Sequence, residues 1–183
     1  WKNLAIDVVI ESTGFFTDYE KAKAHLDAGA KHVVISAPVK NDVEGLGATV
    51  LMGLNDEHIT TCPITSNASC TTNSASPVIA ILDAAIGIEK AILSTTHAYT
   101  ASQSIVDGPA KKDMKEGRAA AQNIVPTSTG AAIAVTKAYP ALAGKFDGIS
   151  LRVPVPAGSI ADITFIAKRA TSKEEVNDIL RAA

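Results

Sequence analysis

The chain has 183 residues, of which 46% are hydrophobic and 20% are charged, and its formal net charge at pH 7 is −2. This composition excludes a disordered chain, which combines few apolar residues with a high net charge. The near-neutral charge argues against a nucleic-acid or membrane-surface binder, and no apolar run approaches the roughly 18 residues of a membrane span. Two cysteines, Cys62 and Cys70, cannot build a disulfide framework, so we expect reduced thiols in a cytoplasmic protein.

The N-terminal third has the pattern of an α/β fold. The β-branched apolar runs at 6–11 and 32–36 predict two strands buried on both faces. Between them, residues 19–28 predict an amphipathic helix that Gly29 ends. Strand, helix and strand over about 30 residues predict one right-handed βαβ unit with parallel strands. A weaker strand is predicted at 48–52.

A second set of elements follows a dense polar stretch at residues 64–73. The patterns predict a helix at 78–86, a strand at 91–96, a long polar segment at 100–123, a helix at 130–139, strands at 149–155 and 161–168, and a final helix opened by a capping box of Ser172 and Glu175. The polar segment exceeds the about 12–15 residues usual for an unstructured loop, so we expect it to be functional or covered by a partner.

The two ends of the chain predict a fragment of a longer protein. The first residue is Trp1 rather than a methionine, no signal-peptide pattern follows it, and the last helix has no glycine or proline terminator. The elements between these ends predict an α/β part joined near residues 66–70 to an α+β part.

Cys70 is the strongest candidate for chemistry. It lies between Ser69 and Thr71, directly before a helical run, where the helix dipole and the unpaired N–H groups favour a thiolate. The same N–H groups and the two neighbouring hydroxyls could hold a phosphate or an oxyanion. From placement alone, a small buried cysteine beside Ser/Thr caps explains the pattern equally well. Cys62 has no such setting, and we interpret it as structural or incidental.

His97 is the best partner for such a thiol. It ends the strand predicted at 91–96, and strand ends that face a loop commonly carry catalytic groups. An imidazole can take the thiol proton and return it later. We interpret the other histidines as structural or solvated: His25 in an amphipathic helix, His32 at the start of a strand and His58 in a charged loop.

Other polar positions indicate anion binding. Residues 127–130 precede a helix and offer hydroxyls and N–H groups at a second helix N-terminus. Arg152 lies in an apolar strand, where its charge needs either a carboxylate or a bound phosphate, and both interpretations stay open. Arg118 is by default ordinary surface charge. The sequence has no metal-ligand spacing and no glycine-rich dinucleotide loop or P-loop.

The stretch 66–73, Ser-Asn-Ala-Ser-Cys-Thr-Thr-Asn, resembles the active-site signature of phosphorylating glyceraldehyde-3-phosphate dehydrogenases. Further segments resemble this family in the same order along the chain, at 12–16, 35–38, 52–55, 96–100, 123–132 and 151–154. The resemblance implies an α/β plus α+β fold, with the C-terminal part of a Rossmann-type NAD domain at 1–69 and most of a mixed-sheet catalytic domain at 70–183. The family's glycine-rich loop would precede Trp1, and its C-terminal helix would follow Ala183.

The resemblance also implies roles for single residues. Cys70 would be the nucleophile and His97 its acid–base partner. The implied phosphate-binding residues are Ser69, Thr71, Thr100, Arg118, Thr129, Gly130 and Arg152, the implied cofactor contacts are Thr13 and Ser36, and no metal is implied. Residues 100–123 would pack against a neighbouring subunit of a homotetramer. Ala101 and Ser102 replace the Asn-Asp of many members, which weakens the case for a cofactor contact there.

The implied reaction is the NAD-dependent phosphorylating oxidation of glyceraldehyde 3-phosphate by inorganic phosphate, as in glycolysis and gluconeogenesis. NADP stays open as the cofactor, because the residues that select it would precede Trp1. Neither a nucleic acid nor a membrane is an expected partner. Three alternatives remain: an enzyme that acts on erythrose 4-phosphate, a truncated non-catalytic assembly module, and a cysteine hydrolase or acyltransferase that uses no NAD.

Overall fold

The computed structural model describes residues 1–40, 42–110 and 113–183, and of Ala132 only the backbone. Its internal contacts divide the chain into two units, 1–81 with 134–141 and 82–133 with 142–183. This division is not the predicted boundary between residues 69 and 70, which stays a prediction. No helix within the described ranges is long and apolar enough to span a membrane.

The first unit is built on a parallel sheet of four strands. These are β1 (Val8–Glu11), β2 (His32–Ile35), β3 (Gly47–Thr49) and β4 (Ile64–Ser66), in the order β1-β2-β4-β3. Helix α1 (Tyr19–Asp27) connects β1 to β2, and a short helix α2 (His58–Thr61) precedes β4. The predicted βαβ unit is therefore confirmed.

Local chemistry explains where α1 begins and ends. The Asp18 side chain accepts hydrogen bonds from the N–H groups of Glu20 and Lys21, which caps the first turn. Gly29 has a φ of 103°, a conformation that favours glycine after the last turn of a helix. The predicted role of Gly29 is confirmed.

The four strands of this sheet end level with one another. Glu11 is paired with Ile35, Ile35 with Ser66, and Ser66 with Thr49. Because all four strands are parallel, the segments that follow them leave from the same edge of the sheet. We call this the carboxyl edge. Ligands of open parallel sheets bind at such an edge.

The prediction that β1 is buried on both faces was wrong. Helix α1 contributes Tyr19 and Ala22 to a core with Val33, Ile35 and Ile64, which lie on one face of the sheet. On the opposite face, Val8 is 50% exposed and Ile10 is 70% exposed. A strand is buried on both faces only where two layers cover it, and α1 covers one face.

The second unit is built on a mixed sheet of four strands. These are β5 (Ile88–Ala98), β6 (Val125–Ser128), β7 (Phe146–Val153) and β8 (Ser159–Ala167), in the order β6-β7-β5-β8. Strands β5 and β7 are parallel, whereas β6 and β8 are antiparallel to their neighbours. The expected combination of a parallel sheet with a mixed sheet is confirmed.

Two helices contribute residues to both units. Helix α3 (Cys70–Ile86) follows β4, and helix α4 (Ala131–Ala138) follows β6. Helix α5 (Lys173–Ala182) begins after Ser172, whose hydroxyl accepts the N–H of Glu175, so half of the predicted capping box is present.

The sequence patterns did not predict some elements, or predicted them with the wrong bounds. Helix α3 begins at Cys70 rather than at residue 78, because its first turns are polar and hide the apolar period. Strands β4 and β6 are short and were not predicted. β6 tolerates Pro126 because it lies at an edge of the sheet. Within the polar segment 100–123 the chain forms a 3₁₀ turn at Met114–Gly117, and residues 111 and 112 lie outside the described ranges.

Candidate active site

Cys70 is the first residue of α3 and its thiol is exposed. The hydroxyl oxygen of Ser69 accepts the N–H of Thr72 at 3.2 Å, which is the bond of a helix N-cap. The predicted placement of Cys70 at a helix N-terminus is therefore confirmed. At this position the positive end of the helix dipole stabilises a thiolate or a nearby anion.

The turn from β4 into α3 is held by side chains on both of its sides. Asn73 donates its amide N–H groups to the carbonyl of Asn67 at 2.8 Å and to that of Ser69 at 2.9 Å. Ser66 donates its hydroxyl to the Ala37 carbonyl at 2.7 Å, and its oxygen accepts an N–H from within the turn. These bonds hold in place the turn that leads into the N-terminus of α3. Sequence reasoning assigned Asn73 and Ser66 no role, although both lie inside the recognised motif.

The turn also contains an uncommon backbone conformation. Ala68 has a φ of 55° and is buried against Leu51 and Ala138. A non-glycine residue in the left-handed region costs about 1–2 kcal/mol, and neighbouring contacts must impose it. The sharp turn that results brings Cys70 out of the sheet edge and into an exposed position.

Two predicted phosphate contacts flank the thiol. The Thr71 hydroxyl lies 4.0 Å from the Cys70 sulfur, and most of the Thr71 side chain is buried. The Ser69 hydroxyl lies 2.7 Å from that of Thr72, in addition to its capping bond. Ser69 therefore has a structural role at the helix N-terminus. Phosphate binding by Ser69 and Thr71 stays a prediction.

Thr13 and Ser36, the predicted cofactor contacts, follow β1 and β2 at the carboxyl edge. Both side chains are exposed, and Cys70 follows β4 at the same edge. Glu11 holds both segments: its carboxylate accepts the Thr13 N–H at 2.7 Å, and its backbone carbonyl accepts the Ser36 N–H at 2.9 Å. The first unit therefore brings Thr13, Ser36 and Cys70 to one edge of one sheet.

In the second unit, His97 and Arg152 lie side by side on neighbouring strands. His97 in β5 is directly paired with Arg152 in β7. Nδ1 of His97 lies 2.6 Å from Nη1 of Arg152 and 2.7 Å from the carbonyl oxygen of Ala98. A guanidinium only donates and a carbonyl only accepts, so Nδ1 can satisfy one of these partners at a time.

These two partners of Nδ1 correspond to the two neutral tautomers of His97. When Nδ1 accepts from Arg152, the proton of the neutral ring is on Nε2, which then has no lone pair to act as a base. When Nδ1 donates to the Ala98 carbonyl, Nε2 is unprotonated and can take a proton as a base, and the imidazolium that forms can give this proton back as an acid. The bond to the Ala98 carbonyl therefore suits a histidine that alternates between base and acid.

Arg152 retains a donor for an anion. Its Nε is buried and has no hydrogen-bond partner among the described residues, and none of their carboxylates forms an ion pair with it. Of the two open interpretations of Arg152, a structural ion pair therefore has no support in the described part of the chain. A buried N–H without an acceptor is costly, and a bound phosphate would satisfy it.

Thr100, a further predicted phosphate-binding residue, lies three residues after His97 in the sequence and two residues after the end of β5. Its N–H donates to Oε1 of Gln103 at 2.7 Å, and its hydroxyl lies 3.2 Å from the same oxygen. Gln103 is buried, so it holds the turn that carries Thr100. Sequence reasoning missed this glutamine, and its signal was the Thr-x-x-Gln spacing, in which the glutamine side chain reaches back to the N–H of the threonine.

Comparison with known proteins decides the family. The sequence profile described as glyceraldehyde 3-phosphate dehydrogenase, C-terminal domain, matches residues 69–183. The chain belongs to this family. It is 50% identical over 184 residues to the glyceraldehyde-3-phosphate dehydrogenase of Mycobacterium avium and 51% identical over 183 residues to that of Xanthobacter flavus. These alignments cover 100% of the chain and 53% of each relative, so the chain spans about half the length of these curated relatives.

The remaining predicted phosphate-binding residues are Thr129, Gly130 and Arg118. In this member of the glyceraldehyde 3-phosphate dehydrogenase family, their surroundings are ordinary. Thr129 and Gly130 precede α4, and the Thr129 hydroxyl accepts the Ala131 N–H at 3.1 Å. Arg118 is exposed, and its Nε lies 3.0 Å from Asp107. The Ala119 N–H and the Arg118 guanidinium together lower the pKa of Asp107. Arg118 therefore has a carboxylate partner, which is typical of an arginine on the protein surface.

No group of three or more His, Cys, Asp or Glu side chains that could hold a metal ion occurs among the described residues. Cys62, the second thiol, is buried beneath the surface of the first unit, in line with its interpretation as structural.

Proposed function

We propose that this chain carries out the phosphorylating oxidation of glyceraldehyde 3-phosphate to 1,3-bisphosphoglycerate, with Cys70 as nucleophile and His97 as acid and base. Family membership and the printed names of its relatives support this proposal. The observation that carries it is the exposed Cys70 thiol at the capped start of α3, on the same carboxyl edge as Thr13 and Ser36.

The proposed reaction begins with a covalent bond between Cys70 and the substrate. The thiolate attacks the aldehyde carbon, the carbonyl electron pair moves to oxygen, and His97 gives that oxygen a proton, which forms a hemithioacetal. Arg152 and Thr100 bind the phosphate of the substrate. Arg152 is suited to this task because its Nε still lacks an acceptor among the described residues.

Oxidation then removes a hydride from the hemithioacetal carbon. His97 takes the hydroxyl proton as the hydride leaves, and the carbon becomes the carbonyl of a thioester. Inorganic phosphate, held by Ser69, Thr71, Thr129 and Gly130 with Arg118 nearby, attacks this thioester. The carbon–sulfur bond breaks, the acyl phosphate leaves, and the Cys70 thiolate is regenerated.

The residues at the carboxyl edge fit the nicotinamide half of NAD, which when bound supplies the hydride acceptor. Thr13 and Ser36 carry exposed hydroxyls in the segments that follow two adjacent parallel strands, at the edge where nucleotides bind to such sheets. The Thr13 hydroxyl donates its one proton to Glu11 and accepts the Phe15 N–H at 3.2 Å, which leaves its oxygen one lone pair for an N–H or O–H from the cofactor. These contacts do not choose between NAD and NADP.

We further propose that the whole protein acts as a cytoplasmic homotetramer. In the polar segment 100–123, Ile105 is 91% exposed and Met114 is 90% exposed, although the segment lacks an apolar period. On the sheet of the second unit, Ile92, Ile149 and Ile160 are also exposed, and they lie on three adjacent strands. The register of the strands places these three isoleucines on one face of the sheet, and large apolar side chains exposed on one face favour a subunit interface.

The proposal is tested by the rate at which iodoacetamide alkylates Cys70 as a function of pH, located by peptide mass. A fully ionised thiol at pH 7 reacts about 30-fold faster than one with the ordinary pKa of about 8.5. We expect the native chain to approach that rate and His97→Asn to lose a large part of it. Cys70 in the urea-unfolded chain is the reference. A native rate equal to this reference contradicts the proposal for this chain.

Turnover is measured on the full-length protein with glyceraldehyde 3-phosphate and with erythrose 4-phosphate. We expect the triose phosphate to react faster, and loss of turnover in Cys70→Ser. Equal or faster turnover of the tetrose phosphate would overturn the assigned substrate while leaving the roles of Cys70 and His97 in place.

A further inference from the structure

Four side chains of the first unit are linked by hydrogen bonds in the order Thr13, Glu11, His25 and Trp1, beginning at the carboxyl edge. Glu11, the last residue of β1, is 3% exposed, and one of its carboxylate oxygens accepts both the N–H and the hydroxyl proton of Thr13. The other oxygen lies 2.8 Å from Nε2 of His25 in α1. Nδ1 of His25 in turn accepts the indole N–H of Trp1 at 3.1 Å.

The partners of His25 determine its tautomer. An indole N–H only donates, so Nδ1 of His25 must be the unprotonated nitrogen. The proton of the neutral ring is therefore on Nε2 and points to the Glu11 carboxylate. The rings of Trp1 and Phe16 lie 5.9 Å and 5.2 Å from the imidazole and limit its rotation. His25 can thus serve Glu11 without carrying a charge.

Glu11 is a buried anion with a complete set of donors. The Thr13 hydroxyl, followed by His25 and the Thr13 N–H, lowers the pKa of Glu11 in spite of its burial, so the carboxylate is ionised at neutral pH. Ionised groups in a protein interior need such a set of bonds. The consequence for Thr13 is a fixed hydroxyl orientation: its proton points to Glu11, one lone pair accepts the Phe15 N–H at 3.2 Å, and the second lone pair is left for a ligand.

We propose that Glu11 and His25 are positioning residues that fix the Thr13 hydroxyl as a hydrogen-bond acceptor for the nicotinamide half of the cofactor. This inference rests on the proposed function, which assigns Thr13 to that half. The ligand group it selects is a donor, either the carboxamide N–H or a ribose hydroxyl. A carboxylate in place of the carboxamide has no proton to offer and meets the charge of Glu11.

Binding of nicotinamide mononucleotide to the whole chain, followed by NMR titration, tests this selection without any turnover. We expect Thr13→Ala and Glu11→Gln each to weaken binding about tenfold, as the loss of one hydrogen bond with charged support does. Because Glu11 acts through Thr13, the double variant should bind no more weakly than either single variant. Two independent, multiplying losses would overturn the proposal.

Variants of His25 separate positioning from general stability. His25→Leu should weaken binding severalfold, whereas His25→Gln, which keeps an N–H for Glu11, should restore it to within about threefold. His58→Leu is the matched control, because His58 lies on the surface beside Glu57 in the same unit. Circular dichroism and melting confirm that each variant is folded. Equal binding by His25→Leu, His25→Gln and the native chain would overturn the role of His25.

Nicotinic acid mononucleotide distinguishes the two possible donors. If Thr13 accepts the carboxamide N–H, this analogue should bind at least tenfold more weakly, and Glu11→Gln should narrow the difference. If the donor is a ribose hydroxyl, both nucleotides should bind alike and both should weaken in Thr13→Ala. If the native chain binds neither nucleotide, the proposal for Thr13 is overturned, whereas the alkylation of Cys70 still reports separately on the proposed chemistry.

Discussion

The turn that carries Cys70 and the strand pair that carries His97 are held together in opposite ways. Asn73 fixes the Cys70 turn through carbonyls no more than six residues away in sequence. His97 meets Arg152 across 55 residues, through the register of β5 and β7. A turn closed by its own side chains is visible as a sequence motif, whereas a contact set by strand register is visible only in the folded sheet.

The two units also differ in how their buried charged side chains are hydrogen-bonded. The Glu11 carboxylate in the first unit has donors on both oxygens. The Arg152 guanidinium in the second unit keeps a buried N–H without an acceptor among the described residues. A charged group whose hydrogen bonds are made within the protein holds its neighbours in place, whereas one with an unused donor is suited to bind a ligand.

The largest effect is expected at Arg152. In the full-length protein, Arg152→Leu should lower kcat/KM for glyceraldehyde 3-phosphate about 100-fold, because charge-assisted hydrogen bonds to the phosphate are lost. Turnover of unphosphorylated glyceraldehyde should change little. Arg169→Leu is the matched control, since Arg169 is an exposed arginine of the same unit that pairs with Glu175. Equal losses with both substrates would mean that Arg152 acts through His97 and not on phosphate.

A smaller effect is expected at Asn73. Asn73→Ala removes the donors that close the Cys70 turn, so the alkylation rate of Cys70 at pH 7 should fall about threefold to tenfold, as the helix end loses its alignment with the thiol. Asn123→Ala removes a single bond to the Ala119 carbonyl in the second unit and should leave that rate unchanged. A folded Asn73→Ala chain with native reactivity would show that the turn does not depend on its amide.

The contribution of Glu11 to stability should depend on pH. Because the folded pKa of Glu11 lies below its ordinary value of 4.5, the ionised group stabilises the fold above that value, and this stabilisation is lost as pH falls through the lowered pKa. Urea unfolding between pH 7 and pH 3 should therefore show a shallower acid loss in Glu11→Gln than in the native chain.

Glu175 provides the control for this measurement. Arg169 and Thr171 lower its pKa as well, but the pair is exposed and screened by solvent. Glu175→Gln should change the acid dependence less than Glu11→Gln. An equal change in both variants would remove the distinction drawn between the buried and the exposed carboxylate.

The smallest effect is expected at Ala68. Glycine at this position removes the cost of the left-handed conformation but adds freedom to the unfolded chain, so the free energy of unfolding should change by less than about 0.5 kcal/mol. Cys70 reactivity should be unchanged because Asn73 still closes the turn. Ala5→Gly, at an exposed residue with a φ of 49°, is the matched control. A loss of reactivity in Ala68→Gly alone would place the rigidity of the turn in its backbone.

Local patterns were sufficient for several parts of the fold. The position of α1, the glycine after it, and the placement of Cys70 at a helix start all depend on residues that are close in sequence. The short strands β4 and β6 were missed because three or four residues do not establish a period. Their place in the sheets depends on partners elsewhere in the chain.

The sequence by itself determined the family, the βαβ unit and the residue types available for catalysis, because motifs and turns depend on near neighbours. Only the tertiary structure decided that the buried carboxylate of Glu11 meets His25 of α1 and that Arg152 lies beside His97. It also decided that one face of β1 is exposed. These features follow from strand register and from which layers cover a sheet, and both are set by contacts between distant segments.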